Sequence, residues 1–247
     1  MRPVMARSHL WLVGLLVSAT TAACASESKR NPDIEAGTPQ GGKDAAADAP
    51  VAPGVSALTS FFVTSDTSMT GNLGGLAGAD ARCARLAAAA SLPSHTWRAY
   101  LSVEQDGDAG SQVDARDRIG QGPWYNVKGT KLADDIDSLH ARTGDAEVFL
   151  SEKGEKIPGQ WAGSPAVEHD VLTGSKGDGT LLAGETCSDW TSEASGQTAQ
   201  VGHSDGLGPG MNASPPYSSW NSAHANGGCN NTMPLGGAGR VYCFASD

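Results

Sequence analysis

The sequence predicts an α+β domain with long loops, two disulfides and a disordered tether ahead of it. Three observations carry this. Four cysteines, Cys83, Cys187, Cys229 and Cys243, form an even set in a chain that opens with an export signal, which reads as a disulfide framework. Short strand-like runs at both ends of the domain accompany one helical pattern. Glycine, serine and aspartate dominate residues 158–216, a length of irregular chain that is uncommon inside a compact domain and often functional.

At the N-terminus, Arg2 and Arg7 precede an apolar stretch from Leu10 to Val17 and a small-residue exit ending in Ala22-Ala23-Cys24. A positive start, a short apolar segment and a small-residue exit describe a secretory signal over residues 1–23. The apolar segment is shorter than the ~20 residues a bilayer-spanning helix needs. Ala22-Ala23-Cys24 resembles a bacterial lipobox, with Thr21 where leucine is commonest, and so Cys24 is the expected lipidation site. Ala25 is not the aspartate that often retains such proteins at an inner membrane, so an outer-membrane or cell-surface location is expected. Residues 24–57 carry hardly a large apolar side chain. Such a stretch cannot bury enough surface to offset its ordering entropy, and it reads as a tether with a reach of roughly 30 Å.

The domain is drawn from residue 58 to 247. Ser60 to Ser65 is rich in aromatic and β-branched residues and predicts a strand. Leu76, Ala79, Cys83, Leu86, Ala87 and Ala90 recur at three- and four-residue spacing, one apolar helical face that Leu92-Pro93 closes. Trp97 to Ser102 alternates as a second strand. Leu132, Ile136 and Leu139 suggest a brief helix, Val148 to Leu150 a strand, and Gly239 to Phe244 a last buried strand.

The formal charge is −10, and removal of Arg2 and Arg7 with the signal leaves about −12. A chain this acidic lacks the basic footprint of a nucleic-acid binder. No H-E-x-x-H, no G-x-S-x-G after a strand and no phosphate-cradling loop occurs, so an enzyme is not expected. Glu168-His169-Asp170 draws the eye as a metal or base triple, but adjacent residues rarely converge on one ion without help. It reads as a solvated polar loop, and no metal site is expected. Asp106, Asp108 and Asp178 stand in glycine-rich phrases that could supply a hard-cation site, the one cofactor in view being calcium. Turn formation explains the same residues without an ion. Trp190 and Trp220, beside cysteines, read as core. Trp161, in glycine-rich context, is the surface candidate for a ligand, with Asp205, Asn212 and Asn221 as polar companions.

Gly75-Leu76-Ala77-Gly78-Ala79-Asp80 leading to Cys83, Trp97-Arg98-Ala99-Tyr100-Leu101-Ser102, Asp117-Arg118-Ile119, Gly122-Pro123-Trp124, Cys187-x-x-Trp190-Thr191 and Tyr242-Cys243-Phe244 stand in order over residues 60–245. As an ordered set they resemble the endostatin-type domain, a divergent relative of the C-type lectin fold found in bacterial surface lipoproteins. Trp220-Asn221 is similar to the lectins' Trp-Asn-Asp phrase, with Ser222 in place of the aspartate. Four cysteines allow three connectivities. The resemblance implies Cys83 with Cys243 and Cys187 with Cys229. It also implies a surface lipoprotein that displays a lectin-like domain for adhesion or carbohydrate or protein binding. The alternative is a structural envelope lipoprotein without a soluble ligand.

Overall fold

The computed structural model describes residues 51–107 and 110–247. The signal, Cys24, Asp108 and most of the proposed tether lie outside the described residues. The packed chain begins ahead of the boundary drawn at 58. Ala52 N–H donates to Ser91 O, Ser56 N–H donates to Val127 O, and Val55 packs against the core.

The fold is mixed α+β. β1 (Phe61–Val63), β2 (Trp97–Ala99), β5 (Asp170–Leu172), β6 (Gln200–His203), β7 (His224–Ala225) and β8 (Gly237–Ala245) form one sheet. Its order is β1-β8-β5-β6-β7, with β2 also pairing β8. β8 runs antiparallel to β1 and β2 and parallel to β5. β3 (Trp124–Tyr125) and β4 (Lys131–Ala133) make a separate small ribbon.

The alternation of side chains along a strand places neighbours on opposite faces, and here both faces are buried. Phe62, Val241 and Cys243 enter one core with Trp97, Leu101 and Trp190. Phe61, Val63, Tyr242 and Phe244 enter the other with Trp124, Phe149 and Trp220. This is why β8 reads as an unbroken buried run. Helix α1 (Gly75–Ala89) covers the first face through Ala79, Cys83, Leu86 and Ala87. Asp80 on α1 accepts from Ala99 N–H at 2.9 Å and pairs with Arg98 and Arg118, tying α1 to β2 and to the turn after it.

Both cross-links implied by the resemblance are present. Cys83 on α1 joins Cys243 on β8 with Cα atoms 5.6 Å apart, and Cys187 joins Cys229 at the same separation. The second link begins in an unusual turn. Cys187, Ser188, Asp189 and Trp190 all hold left-handed backbone, with φ of 49°, 48°, 55° and 63°. Left-handed backbone costs non-glycine residues roughly 1–2 kcal/mol each, so neighbours must impose it. The Trp190 indole N–H donates to Ser102 O at 2.9 Å, and the Asp189 carboxylate accepts from Glu104 N–H at 2.6 Å.

Three expected elements differ. Val148 to Leu150 forms no strand, because Val148 and Phe149 N–H both donate to Asp145 O in a turn. Leu132 belongs to β4 rather than to the helix, and α2 spans Ile136–Ala141. The stretch 158–216, expected as loop, contains β5 and β6.

Helix α2 begins with a capping box in which Asp135 and Ser138 satisfy each other's backbone N–H groups. Asp135→Ala is expected to lower stability by about 1 kcal/mol. Denaturant unfolding checks this, and an unchanged midpoint would show that the box contributes nothing to holding Leu139 in the core.

Candidate functional site

The third, fourth and fifth strands of the sheet order, β5, β6 and β7, bring together side chains far apart in sequence. Asp170 and His203 are cross-strand partners in the β5–β6 register, and His224 stands opposite Val201 on β7. His169 immediately precedes β5, where the register against β8 shifts between Asp170 and Val171. Strict alternation does not hold at such a shift, so adjacent residues can turn to one centre. Gly202 permits the close packing behind His203: a Cβ there would meet the Trp220 carbonyl oxygen at 1.8 Å.

The result is a cluster of three imidazoles around one carboxylate. His169 Nε2 lies 3.4 Å and His203 Nε2 3.3 Å from Asp170 Oδ1, while His224 Nε2 lies 3.7 Å from Asp170 Oδ2. His203 Nε2 and His224 Nε2 are 2.9 Å apart. The rings of His169 and His203 stack with centroids 4.2 Å apart. The side chains of His169, Asp170 and His203 are 3, 1 and 2% exposed, whereas that of His224 is 28% exposed and faces solvent.

Outer contacts fix the neutral tautomer of two of the rings. His169 Nδ1 donates to Asp205 Oδ1 at 2.6 Å, and His224 Nδ1 donates to the Ala225 carbonyl at 2.8 Å. As neutral imidazoles both rings therefore present a bare Nε2 to Asp170, and as imidazolium ions an Nε2–H. Asp205 also accepts from Gln160 N–H at 2.6 Å and Leu207 N–H at 3.0 Å. Burial acts to raise its carboxyl, but His169 and these amides outweigh it and hold it below the usual range. Asp170 is different. Burial pushes its carboxyl up to about 6 against the opposing pull of His169 and His224. Neither of its oxygens has a hydrogen-bond donor among the described residues. Burial, with His169 and His224 nearby, drives His203 down to about 3. A buried carboxylate without a donor is costly, and near neutral pH the centre favours a cation or a shared proton.

The expectation of a solvated loop at Glu168-His169-Asp170 is therefore corrected: His169 and Asp170 are buried, and Glu168 pairs with Arg240. The help that adjacent residues need comes from β6 and β7. Asp205 and Asn221, expected as displayed ligand-binding groups, are buried. Asp205 orients His169, and Asn221 donates to Tyr100 Oη and to the Lys176 and Gly177 carbonyls. Their polarity is spent inside the molecule. Trp161 is half-buried, its N–H donating to Ile157 O at 2.9 Å and Lys156 lying over its ring. Asn212 is exposed and accepts from Ser214 N–H. Trp190 and Trp220 are buried core residues.

The described calcium candidates, Asp106 and Asp178, are not brought into this centre. Asp178 is exposed, and its carboxylate closes a turn onto Thr180. Asp106 closes its own turn through backbone bonds with Ser111 and Gly110. Among the described residues the group whose ligand atoms converge is His169, Asp170 and His203. His203 and His224 were not singled out from sequence because no local motif links them. The available signal was the strand-like Gln200-Val201-Gly202-His203 between glycine-rich loops.

Above the centre the loops expose apolar side chains. Met69, Val167, Met233 and Leu235 are 62, 39, 37 and 68% exposed. Their backbones adjoin: Thr232 N–H donates to Met69 O, and a Cβ on Gly236 would meet Val167 Cγ1 at 3.1 Å and the His169 ring at 3.2 Å.

A scan against models of known protein families finds no match to this chain.

Proposed function

We propose that this chain is a lipid-anchored surface protein whose endostatin/C-type-lectin-like domain binds an extracellular protein through its loop face. One observation carries the reading. Met69, Val167, Met233 and Leu235 leave three neighbouring loops as exposed apolar side chains. Grouped exposed apolar side chains mark interaction surfaces, and methionine suits surfaces that adapt to a partner. A protein ligand fits this better than a glycan, whose recognition would need aromatic platforms and polar groups; Trp161 is half-covered and Asp205 and Asn221 are buried. The kinship to the endostatin type is supported by the order of the quoted phrases and by the helix-to-last-strand cross-link. The anchor is supported by Ala22-Ala23-Cys24.

The test is a matrix-protein and glycan array probed with the full-length chain, with and without calcium. A protein binder is expected, and Met233→Asp with Leu235→Asp is expected to weaken it by at least about tenfold without moving the unfolding midpoint. No binder in either condition would count against recognition and favour the structural envelope role.

A further inference from the structure

We propose that His169, Asp170, His203 and His224 form a binding site for a divalent transition-metal ion, zinc being the best fit. This stands independently of the recognition reading.

The donor set decides the class of ion. Three imidazole nitrogens and one carboxylate suit zinc and its borderline neighbours, whereas calcium and magnesium require oxygen donors. The distances agree. Donors held about 2.0–2.1 Å from an ion at the corners of a tetrahedron stand about 3.3–3.4 Å from one another. His169 Nε2 and His203 Nε2 lie 3.4 and 3.3 Å from Asp170 Oδ1. His224 Nε2 stands 2.9 Å from His203 Nε2 and 3.7 Å from the other carboxylate oxygen, Oδ2, so it approaches the same centre from that side.

The outward hydrogen bonds leave the inward nitrogens available to a metal. His169 and His224 point their Nδ1–H groups outward, so in the neutral tautomers a metal requires, their inward nitrogens carry lone pairs. Asp170 adds a carboxylate with no donor among the described residues. A single proton on His203 Nε2 bridges to His224 and leaves Asp170 unsatisfied. A proton on Asp170 satisfies one imidazole and leaves the close pair of His203 and His224 unsatisfied. One divalent ion engages the converging His169, Asp170 and His203, with His224 beside them as the fourth donor.

The surroundings have the form of a supported site. Metal-bound histidines commonly donate their other N–H to a carboxylate or a carbonyl, which fixes the ring and strengthens the donor. Asp205 does this for His169, and the Ala225 carbonyl does it for His224. Asp205 is itself held by two backbone N–H groups. His224 lies at the solvent side and provides the route by which an ion arrives. With four protein donors the site is closed, so its effect is to cross-link β5, β6 and β7 beneath the loops.

The experiment uses the full-length chain with its disulfides intact, stripped with EDTA and returned to chelator-free buffer near pH 7.5. Titration with Zn(II) alone is followed calorimetrically, and Co(II) is followed by its visible absorption. About one equivalent is expected to bind saturably, with Co(II) giving the intense bands of tetrahedral coordination. Asp170→Asn and His224→Ala are each expected to weaken binding by at least about 100-fold, and Asp205→Asn by about 10–100-fold. Absence of saturable Zn(II) binding to the parent chain overturns the proposal. Saturable binding that survives Asp170→Asn and His224→Ala unchanged also overturns it. If those variants fail to fold, the parent chain decides. Zn(II) is then expected to shift the imidazole NMR signals of His169, His203 and His224. Shifts confined to His95 and His140, or none, reject the site.

Discussion

Replacing Cys83 and Cys243 by serine is expected to destabilise the domain by about 2–5 kcal/mol. The bond closes a loop of 160 residues, so in the chain-entropy account it removes about 5 kcal/mol of freedom from the unfolded chain as an upper figure. Typical domains have a net stability of about 5–15 kcal/mol, and a loss of this size would leave little. The pair also sits inside the first core, between α1 and β8, so serine adds two buried hydroxyls. Urea unfolding of the double variant against the parent is the measurement. The Cys187→Ser, Cys229→Ser pair gives a comparison, because its loop spans 42 residues and its chain-entropy figure is about 4 kcal/mol. A Cys83/Cys243 variant as stable as the parent would mean that packing alone holds α1 against the sheet.

Trp220→Ala is expected to cost about 3–5 kcal/mol. The indole is fully buried in the second core, with ring centroids 4.8 Å from Tyr100 and 5.1 Å from Tyr242. Its N–H donates to Leu139 O at 2.9 Å, and truncation leaves that carbonyl with only the longer bond from Arg142 N–H, 3.4 Å, at the end of α2. Guanidinium unfolding reads the loss. Trp220→Phe separates the contributions, since it keeps much of the ring contact and forfeits the hydrogen bond. If Trp220→Ala unfolds at the parent's midpoint, the second core does not depend on this residue. The substitution should also disturb the histidine centre, because the Trp220 backbone lies directly against Gly202, the neighbour of His203.

The framework of the fold was legible because its signals are local. Phe61 to Val63, the helical spacing through Cys83, and Val241 to Phe244 each reveal their structure within a few residues. The cysteine count revealed the cross-links, and only the resemblance suggested which sulfur met which. β5 and β6 were hidden for a physical reason. They are three and four residues long and flanked by polar or glycine-rich chain, so no periodicity can accumulate. What makes Asp170-Val171-Leu172 a strand is its place between β8 and β6, a long-range fact.

The candidate centre was illegible for the same reason, and one half of it was misread. Glu168-His169-Asp170 was visible as a triple, but its partners His203 and His224 depend on strand register that no single segment encodes. Asp205 was noticed as a polar group worth testing, and it does belong to the site. It faces inward, however, because backbone N–H groups and His169 engage both of its oxygens there. Short polar side chains in glycine-rich sequence look alike whether they face water or close a turn inside. Trp190 and Trp220 were read correctly because a tryptophan beside a cysteine has few places to go except inward.

β8 is the last strand in chain order, yet it is hydrogen-bonded to β1, β2 and β5 and divides the two cores. A nascent polypeptide emerging from the ribosome or threading a pore therefore carries β1 and β2 without their shared sheet partner until residues 237–245 arrive. Premature termination ahead of Gly237 would yield fragments with sticky, aggregation-prone edges rather than smaller folded pieces. Folding in this architecture waits for β8, and any holding factor that accompanies the chain must stay until that strand arrives.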